Sequence, residues 1–369
     1  MHSLAGDRPP RISRALFFAT FSSTFFEMHP TPYQIFDLGE FKLQRGGVLP
    51  NAKLAYVTYG TLNATRDNAI IAPVWFAGTH DMNSWLIGPG EPLDPARYFI
   101  IVPNMFGNGL SSSPSNTPAP FNGPCFPAVT MLDNVRAQHQ LVVEHLGVQE
   151  IQLVTGSSMG AMQAFHWAAY YPERVRRVAP YCGAARCSRH NQVFIEGVRA
   201  SLTADAAFSQ GWYTAPPERG LRAMGRVYAG WAMSQAFYRE QLDIRSLGFS
   251  SLEDFIVGFW EGAFLGVDAN DLLSMLWTWQ NGDISDNERY RGDFTKALAS
   301  IRAESYVMPS RTDLYFPPED SEIEVTHMPN ASLRVIPSLW GHLAGGPGVN
   351  PDDASFIKRN LIELLQNGN

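Results

Sequence analysis

The segment Ile151-Gln152-Leu153-Val154-Thr155-Gly156-Ser157-Ser158-Met159-Gly160-Ala161-Met162-Gln163 sets a serine in Gly-x-Ser-x-Gly spacing. The apolar run before it reads as a strand and the run after it as a helix, so Ser158 stands on a tight strand-to-helix turn. Residues two before and two after such a serine must be small, or they collide with the strand and the helix. Gly156 and Gly160 meet that demand. The chemistry this allows is nucleophilic attack by a serine hydroxyl; the plain alternative is a loop serine in a glycine-rich turn. An ordinary serine hydroxyl is a poor nucleophile, so it needs a base, and the base needs a group that fixes its tautomer. On this kind of turn the chain order is serine, acid, histidine. Asp313 lies just past a predicted strand in the stretch 309–318, and His342 lies in Trp340-Gly341-His342 past the last one, both at the sheet edge that faces ligands. Glu319, Asp320 and His327 compete with them, but His327 precedes its strand and faces the opposite edge. The developing oxyanion needs two backbone donors. Met159 N–H follows the serine, and Phe76 N–H, before Ala77-Gly78, is the candidate for the second, with plain core packing of Phe76 as the alternative.

These groups need a scaffold. Runs at 41–43 and 52–59, with turns at Gly46-Gly47 and Leu62-Asn63, predict an antiparallel opening pair. Runs at 69–76 and 98–103 are apolar throughout, as parallel strands buried on both faces are. Residues 130–146 carry helical spacing stopped by Gly147, and 151–155, 162–171 and 175–180 continue the strand-helix grammar of a doubly wound α/β sheet. From about 181 to 290 the period is helical and rich in aromatics, including Trp212, Trp231, Trp260, Trp277 and Trp279. That pattern reads as the packing of a lid rather than a cofactor box. Strands return at 305–309 and 332–337, and an amphipathic helix over 354–365 closes the chain. The division expected is an α/β core at 28–180 and 291–369, a helical cap at 181–290, and an extension at 1–27.

Composition narrows the classes. The chain has 369 residues, of which 17% are charged and 45% hydrophobic, with a formal charge of -7 and no long basic run. Nucleic-acid affinity comes mainly from neutralised phosphates, so no nucleic-acid partner is expected. The three cysteines, Cys125, Cys182 and Cys187, make neither a disulfide framework nor a closed zinc site. Gly107-Asn108-Gly109 has Ser112 at the third glycine position and a proline-rich loop instead of a helix, which argues against dinucleotide binding. No Walker loop, zinc-protease motif or EF-hand pattern occurs, and no cofactor or metal is expected. His80-Asp81 reads as an exposed polar pair in a loop. Arg8, Arg11 and Arg14 precede an apolar run at 15–26 that is short of the ~20 residues a membrane span needs. The first 27 residues are read as a disordered extension or an upstream start before Met28, with mitochondrial targeting next and a secretory signal last. The expected location is intracellular, in the cytoplasm.

Taken together, the residues resemble the homoserine O-acetyltransferase family of α/β-hydrolase-fold enzymes, which includes deacetylcephalosporin C acetyltransferase. The likeness runs through Leu49-Pro50-Asn51-Ala52, Ile87-Gly88-Pro89-Gly90, Arg97-Tyr98-Phe99, Phe126-Pro127-Ala128-Val129-Thr130, the segment from Gly156 to Gln163, Asp268-Ala269-Asn270 and the segment from Asp313 to Pro318. The resemblance implies an α/β-hydrolase fold with a helical cap, a serine acyl-enzyme, an acyl donor such as acetyl-CoA, and a homodimer formed through the cap. By matching position it makes Ser158, Asp313 and His342 the triad. Two departures stand out. Gly156-Ser157 and Gly160-Ala161 replace the glycine pairs usual there, and Leu343 follows His342 where members that recognise an amino-acid acceptor carry an aspartate. Arg199 falls where the family has a lid arginine able to bind an acceptor carboxylate. The expectation is serine-dependent acyl transfer, as hydrolysis of a small ester or thioester. The alternatives are acetyl-CoA-dependent O-acetylation of a small alcohol and a noncatalytic binding module on the same scaffold.

Overall fold

The computed structural model describes residues 31–367, so the expected extension at 1–27 lies outside the described residues. Strands β1 (Gln34–Lys42), β2 (Val48–Tyr59), β3 (Ala69–Ile71), β4 (Phe99–Pro103), β5 (Ile151–Ser157), β6 (Arg177–Tyr181), β7 (Glu304–Val307) and β8 (Ala331–Leu333) form one sheet. Its order is β1-β2-β4-β3-β5-β6-β7-β8. The first two pairings, β1 with β2 and β2 with β4, are antiparallel, and the rest are parallel.

Strand side chains alternate between faces, and here both faces are covered. Ile70, Ile100, Val102 and Leu153 enter one apolar layer, while Ile71, Ile101 and Val154 enter the other. The apolar runs without alternation in these strands follow from that double burial. Helices Met131–His139 and Met159–Tyr170 supply the second layer. The helix Pro351–Gln366 and the helical stretch between β6 and β7 supply the first. That stretch contains Arg189–Thr203, Glu218–Ala232 and Ala269–Gln280 as its longest helices.

Two expected elements come out differently. The strand expected over 69–76 ends at Ile71. Pro73 has no N–H for the ladder, and 72–76 instead runs across the start of Met159–Tyr170, where Gln163 Nε2 donates to Val74 O at 2.8 Å. The single helix expected over 130–146 is α-helical only to His139. It begins on a reciprocal cap between Thr130 and Asp133 and widens into a π-helical segment, Gln140–His145. The His80-Asp81 reading is corrected outright. His80 is fully buried, its N–H donates to Asn104 Oδ1 at 3.1 Å, and its Nδ1 lies 3.2 Å from Asn104 Nδ2. It fastens the turn His80–Leu86 to the end of β4.

The helix Pro318–His327 is held to the loop after β6 by Glu324, whose Oε1 accepts the Ala185 N–H at 2.6 Å. Oε2 is enclosed without a hydrogen-bond partner among the described residues. Burial pushes this carboxyl from its ordinary 4.5 up to about 8. Between those values the folded chain retains a proton that the unfolded chain has released, so this group lowers stability as pH rises through the window. Glu324→Gln keeps an acceptor for Ala185 and removes the titration. We expect the variant to gain stability at pH 8 over wild type by a few kcal/mol, on the order given by such a shift, and to gain little at pH 4. Urea melts at the two pH values check this; equal differences at both would refute it.

Candidate active site

β5 runs directly into Ser158, which has φ 54° and ψ -123°, and the helix starts at Met159. A side-chain-bearing residue at positive φ is strained, and it persists only where its surroundings over-determine it. Here glycines do so. A Cβ on Gly156 would meet the Gly160 backbone at 2.8 Å, and one on Gly160 would meet Pro73 O at 2.5 Å. Ser158 N–H is taken up by Tyr181 O at the end of β6 and Cys182 O just past it, at 3.2 and 3.1 Å.

Asp313 follows β7, and His342 sits on the turn Gly341–Gly345. Thr312 ties these segments together: its Oγ1 accepts Gly341 N–H at 3.1 Å and donates to Ser338 O at 3.1 Å. His342 Nδ1 lies 2.8 Å from Asp313 Oδ2, and His342 Nε2 lies 3.0 Å from Ser158 Oγ. A carboxylate only accepts, so Nδ1 carries the ring proton and Nε2 is left to accept from the serine. The other oxygen, Asp313 Oδ1, accepts the N–H groups of Tyr315 and Phe316 at 2.8 and 3.2 Å. The histidine ring is held edge-on against Tyr315, with centroids 4.8 Å apart.

Ser158 and His342 open on a cavity of about 110 Å³ whose wall includes Trp75, Phe76, Tyr228, Trp260, Phe264 and Leu343. Among the described residues no acidic side chain lines it. Asp81, Asp268 and Asp271 line a separate cavity of about 460 Å³ that shares Ala77, Met82 and Pro347 with the first. Burial pushes the Asp271 carboxyl up to about 7. The backbone N–H groups of Phe76 and Met159 donate no hydrogen bond within the described residues.

The structure therefore brings Ser158, Asp313, His342, Phe76, Met159 and Leu343 to one place. Arg199 is not among them. It is more than half exposed, pairs with Glu196 at 3.4 Å, and borders a different groove beside Thr203 and Trp277. Its helix turns that face away from the cavity holding Ser158. Sequence reasoning did not single out Ser157, Tyr228 or Phe264 for this wall. Ser157 had a signal, its place beside the serine, whereas the two aromatics sit among many others at helical spacing. Cys182 and Cys187 are buried and Cys125 is exposed, all three unpaired. Among the described residues no cluster of ligating side chains is fit for a metal ion, and no helix is long and apolar enough to cross a membrane.

A mostly parallel sheet with a strand-serine-helix turn at its ligand edge defines the class, and the chain belongs to the alpha/beta hydrolase fold family, whose profile matches residues 76–346. Within that class it is similar to an ethyl acetate hydrolase of Pseudomonas veronii, 39% identical over 93% of this chain and 98% of that protein. A solved acetylester hydrolase from Corynebacterium glutamicum superposes with a TM-score of 0.88 at 36% identity, covering 91% of this chain and 96% of that one. A homoserine O-acetyltransferase of Trichormus variabilis is 31% identical over 82% of this chain and 86% of its own length. The resemblance drawn from the sequence is thus to a family in which esterases and acetyltransferases both match this chain.

Proposed function

We propose that the protein hydrolyses small, uncharged esters through an acyl-enzyme on Ser158. The observation that carries this reading is the hydrogen-bonded line from Ser158 Oγ through His342 to Asp313, opening on a small cavity that no acidic side chain among the described residues lines. His342 takes the serine proton as Ser158 Oγ attacks the ester carbonyl, then returns it to the leaving alcohol. Phe76 N–H and Met159 N–H are the free donors for the oxyanion. The chain between 181 and 290 is read as a lid whose aromatics, Tyr228 and Trp260 among them, exclude bulk water. Similarity to an ethyl acetate hydrolase and an acetylester hydrolase supports water as the acceptor.

The second reading, acetyl transfer from acetyl-CoA to a small alcohol, has the similarity to a homoserine O-acetyltransferase in its favour. One experiment separates the two. The protein is incubated with p-nitrophenyl acetate or acetyl-CoA, with and without a panel of alcohols, and the acylated residue is found by mass spectrometry. Hydrolysis predicts acetate from the ester in every case and an acetyl group on Ser158; O-acetyl product in preference to acetate would favour transfer.

Leu343 bears on the acceptor. An ammonium group in this cavity would lose its water without a carboxylate beside it, at a cost of several kcal/mol. The acids Asp81 and Asp268 lie in the adjoining cavity, and Asp268 is engaged as the cap of Ala269–Gln280 and as acceptor from Tyr213. Homoserine is therefore expected to be a weak acceptor. Leu343→Asp should raise its use relative to an uncharged alcohol of similar size by about tenfold, the ratio that ~1.4 kcal/mol of pairing gives. Acetyl transfer to both alcohols measures this, and efficient transfer to homoserine with Leu343 intact would overturn it.

A further inference from the structure

Ser157 places an additional hydroxyl in the wall of the same cavity. Its backbone ends β5 opposite Tyr181, and the residue lines the cavity together with Ser158 and His342. It is only 4% exposed, yet no hydrogen bond among the described residues takes up its hydroxyl, and that hydroxyl is not among the atoms sealed from the cavity. A buried hydroxyl without a partner is costly, and in a wall this apolar its natural partner is a small polar molecule in the cavity. The position is also fixed. A Cβ on Gly345, in the turn that carries His342, would lie 2.5 Å from Ser157 Oγ. The hydroxyl is thus wedged between the serine turn and the histidine turn.

We infer that Ser157 is a positioning residue that holds the water which releases the acyl group, and that it sets the preference for water over an alcohol. This rests on the reading of Ser158 as the acylated residue. Water has two O–H bonds. One donates to His342 Nε2, which takes that proton as the water oxygen bonds to the acyl carbon. The other donates to Ser157 Oγ and fixes the oxygen's direction of approach. The bond from Ser158 Oγ to the acyl carbon then breaks, His342 returns its proton to Ser158 Oγ, and a carboxylic acid leaves. Ser157 neither gains nor loses a proton. An alcohol has one O–H, which must go to His342, and its carbon occupies the direction that Ser157 serves for water.

The test is a partition experiment. Enzyme turning over p-nitrophenyl acetate at a fixed ethanol concentration yields acetate and ethyl acetate, and their ratio is decided after acylation, whatever the rate of the first step. Ser157→Ala should shift the ratio toward ethyl acetate by about tenfold, the effect of one lost hydrogen bond. Ser157→Gly, which also lacks the hydroxyl, should shift it in the same direction and serves where alanine perturbs the fold. A merely structural role would slow both products together, so an unchanged ratio in a variant still acylated on Ser158 overturns the inference. Wild-type enzyme without an acyl group on Ser158, read by mass spectrometry of the quenched protein, overturns the underlying function as well and is thereby told apart.

Discussion

Replacing Ser158 by alanine is expected to lower kcat for ester turnover by roughly 10⁶-fold, the loss found when the nucleophile of such a catalytic unit is removed. The expectation is confined to chemistry because of what the substitution leaves alone. Alanine keeps the Cβ, so the positive φ at this position is no more strained than before. The backbone bonds from Ser158 N–H to Tyr181 O and Cys182 O, and from Met162 N–H to Ser158 O, remain. Among the described residues the hydroxyl itself makes a single side-chain hydrogen bond, to His342. The variant should therefore melt close to wild type while losing the acyl adduct. What is expected to persist is the contribution of the proposed oxyanion donors, Phe76 and Met159, about 10³ to 10⁴ over the reaction in water. Stopped assays with p-nitrophenyl acetate, paired with intact-mass spectra, measure both. Turnover within about a hundredfold of wild type would exclude Ser158 as the nucleophile.

The parts of this site written in local backbone geometry were legible in the sequence. Gly156 and Gly160 are demanded by close backbone contacts around the serine turn, so their spacing, read together with a strand before and a helix after, points to Ser158. His342 stands apart from His327 because a residue past a strand and one before it face opposite sheet edges, and in the fold His342 Nε2 lies 3.0 Å from Ser158 Oγ. What depends on tertiary packing was not legible. Arg199 lies on an amphipathic helix that lends no residue to the cavity wall, and where that helix sits is decided by how it packs on Glu218–Ala232 and Ala269–Gln280, far away in sequence. His80 reads as a loop residue because its partner, Asn104, stands 24 positions on at the end of another strand. The strand expected through Phe76 stopped at Ile71 because one proline outweighs an apolar run in a central position. The same proline carries the chain over the start of the serine helix, and Phe76 then lines the cavity beside Ser158.

Asp313→Asn is expected to cost on the order of 10⁴-fold in kcat, although it changes one atom and almost no volume. The reason lies in how the carboxylate is shared. Oδ1 faces two backbone donors, Tyr315 N–H and Phe316 N–H, and Oδ2 faces His342 Nδ1. An asparagine has one acceptor and one donor group to distribute over these places. Its amide oxygen must meet the two backbone N–H groups, since turning the NH2 toward them would set donors against donors in a fully buried position. The NH2 is then left facing Nδ1, which can accept only by giving up its proton, so the ring proton moves to Nε2. A histidine protonated there donates toward Ser158 Oγ instead of accepting from it, and the serine has no base. The variant should thus stay folded and keep the cavity while losing acylation. The rate of Ser158 acylation by p-nitrophenyl acetate, followed by mass, tests the order of events. A variant that acylates within tenfold of wild type would mean that Asp313 does not set the histidine tautomer, and Glu319 or Asp320 would then have to be tested in its place.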